Sequence, residues 1–223
     1  MSAVPASTPE ATLDVGTARP EAGPAPRLVV IGCGALAREL LSLTRDVPGV
    51  KVLGVDARLH MRPERIADAV ERRITEVRTT WGPDVRIFVA YADCGTGGTL
   101  DAVLERHGVE RIEGAHCYEF YAGAAAFAAL QDEEVGTFYL TDFLARQFDS
   151  LVIAGLGLDR HPELIDFVFG NYRRLVYLAQ TDDPALTERA RAAADRLGLA
   201  FERRATGLGE LAPIIRSAIT AGA

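Results

Sequence analysis

Short apolar runs recur along this chain, each followed by glycine or small residues and then by apolar positions at helical spacing. Residues 28–31 (Leu-Val-Val-Ile) form a continuous β-branched run, the pattern of a strand covered on both faces. Gly32-Cys33-Gly34 makes a turn, and Leu36, Leu40, Leu41 and Leu43 predict a helix over 35–45. The spacing repeats the unit: a strand over 51–55 ending at Asp56, then a helix opened by Pro63 with one apolar face (Ile66, Ala69, Val70, Ile74, Val77). A third unit has a strand over 86–91, the loop Asp93-Cys94-Gly95-Thr96-Gly97-Gly98 and a helix over 99–107. A fourth has a strand over 109–113 and a small-residue helix around 118–130.

Further on, 136–140 reads as strand or extended loop, followed by a helix from Thr141-Asp142 to Phe148. Residues 151–154 read as a short strand or an irregular link, and a helix begins at Pro162. A strand over 174–179, a helix over 185–197 closed by Gly198, a strand over 199–204 and a helix over 210–219 complete the chain. Alternation of this kind predicts an α/β fold, Rossmann-like, with a doubly wound, mostly parallel sheet and helices on both faces. The expected organisation is a disordered Pro/Ala-rich tail over 1–26, an α/β half over 27–150 and a second α/β half over 151–223 that extends the same sheet or packs beside it.

Composition narrows the function classes. A net charge of −7 argues against a general nucleic-acid binder, which needs clustered Lys and Arg. No apolar run approaches the roughly 20 residues of a membrane span, and the N-terminus lacks a secretory pattern. Three cysteines far apart do not form a disulfide framework, so a cytoplasmic protein with reduced thiols is expected.

The chemistry-bearing residues cluster at strand ends. Cys33, Cys94 and Cys117 each stand just past an expected strand, where ligands gather in α/β sheets. Three thiolates converging there would suit zinc, or alternatively a [4Fe-4S] cluster, with one position open. His116 and Glu119, beside Cys117, are the candidate fourth ligand or proton carriers. Taken singly, each cysteine reads as a small buried core residue. The rival reading is a dinucleotide fingerprint: Gly32-x-Gly34-x-x-Ala37 after a strand, with Asp56 placed 22 residues beyond Gly34 to hold ribose hydroxyls of NAD or another nucleotide. Against it stands a tight strand–helix turn that binds nothing. His116 and Cys117, as sequence neighbours, point apart and do not make a nucleophile–base pair.

Several motifs resemble a known family. Ala90-Tyr-Ala-Asp-Cys-Gly95, His116-Cys-Tyr-Glu119, Gly136-Thr-Phe-Tyr-Leu-Thr-Asp142, His161-Pro-Glu-Leu164 and Tyr177-Leu-Ala-Gln-Thr-Asp182 are similar to those of the bacterial and archaeal domain of unknown function 1638, over roughly residues 27–219. The resemblance implies an association with corrinoid-dependent methyltransferase systems. A metal–thiolate site serving methyl transfer or one-carbon metabolism is then expected, as enzyme or accessory; the alternative is a non-catalytic partner that docks on a methyltransferase or corrinoid protein. Its partner would be a small-molecule substrate or a corrinoid or methyltransferase protein.

Overall fold

The computed structural model describes Pro20 and residues 23–221, so most of the tail expected over 1–26 lies outside the described residues. The chain is α/β and folds as two compact units, one holding the described residues through Ala90 with Thr99–Arg111, the other Tyr91–Gly98 with 112–221.

In the first unit, β1 (Leu28–Cys33), β2 (Val50–Val55), β3 (Arg86–Ala90) and β4 (Glu110–Arg111) form a parallel sheet in the order β2-β1-β3-β4. Strand β1 is buried throughout, as its unbroken apolar run requires. Helices α1 (Ala37–Thr44), α2 (Ile66–Trp81) and α3 (Thr99–His107) connect the strands. The order reverses direction at β1, so right-handed crossovers place α1 on one face and α2 and α3 on the other. The carboxyl ends of β1 and β3 lie at the switch point, with Gly32 opposite Ala90. Gly32 is a packing glycine: a Cβ there would meet the Leu40 side chain of α1 at 2.3 Å.

The second unit has its own parallel sheet, order β5-β6-β7, from Thr137–Thr141, Arg174–Ala179 and Ala200–Ala205. The ambiguous stretch 136–140 is thus a strand. Alternate residues serve two faces. Leu140, Leu175, Tyr177 and Ala179 pack with residues of α6 (Asp142–Gln147), α7 (Ile165–Phe169) and α8 (Pro184–Leu197). Tyr139, Val176 and Leu178 pack with Phe127 and Leu130 of α5 (Ala124–Glu133) and with Tyr118 and Ala122 of α4 (Cys117–Ala122). Each such side chain, fully buried, contributes about 1.5–3 kcal/mol. Helix α9 (Leu211–Thr220) ends the chain's described structure.

Three local expectations change. The fourth strand shortens to two residues, because the backbone amides of Asp93 and Cys94 take the carbonyls of Gly114 and Ala115 beyond it. The single helix over 118–130 is two, broken at Gly123, whose φ of 82° only glycine adopts freely. Residues 148–153 are a wide helical turn, neither strand nor link, whose spacing turns Phe148, Val152 and Ile153 into the core. Among the described residues no helix is long and apolar enough to cross a membrane.

Candidate functional site

The glycine-rich loop after β3 belongs to the second unit and closes on its own acid. Asp93 accepts hydrogen bonds from the Thr96 hydroxyl (2.6 Å) and from the amides of Gly98 (3.0 Å), Gly95 (3.2 Å) and Gly97 (3.2 Å). Amides gathered this way make an anion-binding concavity. Here the anion is internal, so the loop's glycines serve the turn and leave these amides engaged. The Thr96 hydroxyl, with the three amides, holds the Asp93 carboxyl at about 2, below its ordinary 3.8. A carboxyl lowered on folding stabilises fully above its unfolded value and loses that contribution as pH falls through the folded one. Between pH 4 and pH 2 the wild type should therefore lose on the order of 1–2 kcal/mol, discounted for the loop's partial exposure, that Asp93→Asn does not lose. Urea unfolding across that range reads the difference.

The closed loop sets Cys94. Its φ is 49°, the left-handed region that residues other than glycine enter at a cost of order 1–3 kcal/mol. Its amide donates to the Ala115 carbonyl at 2.8 Å, two residues before Cys117. Cys94 and Cys117 thereby fall in one unit, with the Cys94 backbone bonded to the turn that leads into α4. Both act on Tyr118: burial pushes its hydroxyl far above the ordinary range, and charge on Cys117 and Cys94 pushes it further. The ring of Tyr118 rests against Tyr139 (5.4 Å between centroids) and Phe127 (6.2 Å), which anchors it to the sheet.

The proposed proton carriers have visible local roles. Glu119 reaches back to the Ala115 amide at 3.3 Å, closing the turn into α4 in the manner of a capping box. A Cβ at Gly114 would meet its carboxylate at 2.7 Å, so that glycine makes room for it. His116 is exposed, with its ring 6.3 Å from that of Tyr118.

Cys33 lies in the first unit, at the end of β1, 4% exposed, with the Ala35 amide donating to its sulfur at 3.3 Å. None of the three cysteines is in a disulfide. Among the described residues no group of three or more His, Cys, Asp or Glu side chains is gathered closely enough to hold a metal ion. The residues of the nucleotide reading are engaged within the first unit. A Cβ at Gly34 would meet the Val55 carbonyl at 3.1 Å and the Ala57 amide at 3.2 Å, so it serves the close approach of two chain segments. Asp56 is held by Arg58, two of whose guanidinium nitrogens lie 2.6 and 2.9 Å from one carboxylate oxygen, and its carboxyl is lowered by that bond.

A polar cluster at the carboxyl edge of the second sheet went unnoticed in the sequence. Asp142, 1% exposed, accepts from the Tyr177 hydroxyl (2.7 Å), the Gln180 amide (2.9 Å) and the Thr181 hydroxyl (2.5 Å). Arg146, one turn on, lies 3.7 Å away, and the Asp142 amide donates to the Gln180 side chain at 2.6 Å. Two motifs, 136–142 and 177–182, meet in this cluster. The available signal was that each sets polar residues immediately after an apolar strand.

A family model described as "Protein of unknown function (DUF1638)" matches residues 55–215. No curated protein and no solved structure matches the chain. The match spans more than half of the 223 residues and takes in the Asp93–Cys94 loop, the Cys117 helix and the Asp142 cluster, so the chain belongs to the DUF1638 family.

Proposed function

We propose that the second unit carries a thiolate site, Cys94 with Cys117, that binds a soft metal ion, zinc first, in the service of methyl transfer or one-carbon metabolism. The observation that carries this reading is the fixing of Cys94 in a strained conformation, its amide bonded two residues from Cys117. Backbone strain kept in this way marks segments whose geometry matters. Two thiols suit zinc better than a [4Fe-4S] cluster, which takes three or four cysteines. Bound zinc would supply Lewis acidity and would activate a thiol acceptor. This chain would contribute two sulfur ligands, leaving the other positions to water or substrate, with Glu119 kept on the Ala115 amide. Reduced thiols go with a cytoplasmic location.

The wider role rests on family resemblance. It supports a corrinoid protein or its methyltransferase as partner, with this chain as enzyme or accessory.

Metal analysis of the full chain purified without oxygen tests the site. About one equivalent of zinc is expected in the wild type and in Cys33→Ser, falling well below that in Cys94→Ser and Cys117→Ser. Less than about half an equivalent of zinc and iron together in the wild type, or full retention in a variant carrying both Cys94→Ser and Cys117→Ser, overturns the reading.

A further inference from the structure

Helix α7 turns an aromatic side chain away from its own core. Pro162 opens the turn Pro162–Leu164 before it, and Ile165, Val168 and Phe169 face the core shared with α6 and α8. Leu164 and Phe167, three residues apart, share the outer side. Both are exposed, Phe167 at 86%. Single exposed apolar residues are ordinary, but a phenylalanine this bare beside a leucine leaves a large apolar area in water. Exposed acids flank it. Glu163 is paired with His161 at 3.2 Å, which leaves Asp166 as the acid next to the ring.

The other face of the same sheet carries a groove of about 370 Å³. Strand β7 is the sheet's edge, and its register sets Glu202 and Arg204 beside Val176 and Leu178, on the face that α5 covers. Helix α5 offers small side chains there. Ala126 and Ala129, with Ala122 of α4, make one wall, Leu178 the floor, and Arg204 and Ala205 the other wall. Glu133, at the groove's margin, is engaged by Arg174 at 3.2 Å. Arg204 meets Glu202 through Nε and keeps half of its side chain in solvent. The groove is thus apolar inside with a basic group on its rim. Ring and groove belong to the second unit and lie on opposite faces of its sheet, so no chain can seat its own Phe167.

We propose that the groove takes Phe167 of a second copy of this chain, with that copy's Asp166 set against Arg204. Alanine walls admit an aromatic ring, and the acid beside the ring meets the base on the rim. Each copy gives its ring to one neighbour and its groove to another. Such a contact is heterologous, so it propagates from copy to copy and does not close as a twofold pair. It uses neither thiol of the site above.

Sedimentation equilibrium of the full chain under reducing conditions is the test. The wild-type mass should climb above the single chain's 24.0 kDa as concentration rises to about 1 mM, the range of a small transient contact. Phe167→Ser, without the ring, and Ala126→Phe, with the groove filled, should each stay single. Mixed in equal amounts, the two should form a one-to-one pair and stop there, because only one ring and one open groove remain between them. Ala126 is exposed, so the added ring displaces nothing from the core. Should Ala126→Phe lose its fold by circular dichroism, Ala129→Phe fills the same groove from another exposed position. A wild type that stays single at every concentration overturns the proposal and leaves the ring to a partner other than this chain. Association that survives either substitution alone, or a mixture that stays single while the wild type associates, overturns it as well.

Discussion

Asp142→Ala is expected to destabilise the second unit by about 3–5 kcal/mol, the loss seen when a buried charge network loses its acid. Four donors converge on this carboxylate: the Tyr177 hydroxyl, the Gln180 amide, the Thr181 hydroxyl and, more distantly, Arg146. Alanine removes every acceptor at once and leaves a hydroxyl and a backbone amide in the interior without a partner, each costing about 1–3 kcal/mol. Burial and Asp142 together push the Tyr177 hydroxyl well above its ordinary range, so it stays a donor. Asp142→Asn keeps the shape but turns an NH2 group towards donors, and should cost less than alanine but more than a surface change. Urea unfolding measures both. In a cycle with Tyr177→Phe, a coupling of about 1–3 kcal/mol is expected, as for directly bonded partners. A loss under about 1 kcal/mol for Asp142→Ala would place the network outside the stability of the unit.

That network also shows where reading the sequence stops. Helix α3 and strand β6 fall where local pattern puts them, Thr99–His107 and Arg174–Ala179. Helical periodicity closed by Gly108, and an apolar run entered from Arg173-Arg174, are local signals and sufficient ones. Asp142 and Gln180 are bonded across 38 residues. Their meeting depends on β5 pairing with β6 in one register, Thr141 opposite Leu178, and no short stretch encodes it. The thiols repeat the lesson. That Cys94 and Cys117 come after β3 and β4, and that Cys33 stands at the end of β1, was legible. That the chain leaves the first unit at Tyr91 and returns to it at Thr99, so that Cys94 shares a unit with Cys117, was not. The glycines read two ways for a physical reason. The spacing of Gly32 and Gly34 fits phosphate approach and close chain packing equally well, and here packing uses both.

Gly209→Ala should be the most damaging single-methyl change, costing about 3 kcal/mol or more, because it combines a left-handed backbone with a backbone collision. Gly209 has φ 49°, and a Cβ there would meet the carbonyl oxygens of Phe120 and Tyr121, both at 2.3 Å. Neither oxygen can swing aside as a side chain would. The next amide, of Glu210, donates to the Phe120 carbonyl at 2.6 Å, so the entry to α9 is bonded to the end of α4. Relief requires moving α4, and α4 carries Cys117, Tyr118 and Glu119. The control lies two residues away. Gly207 has φ 57° with open space around its Cβ position, so Gly207→Ala meets backbone strain alone, about 1 kcal/mol. The difference between the two variants, about 2 kcal/mol in urea unfolding, isolates the contact between α9 and α4. Zinc content should follow the same order, reduced in Gly209→Ala and kept in Gly207→Ala. Equal stability losses would mean that α4 gives way without cost, and the thiol site would then rest on the Asp93 loop alone.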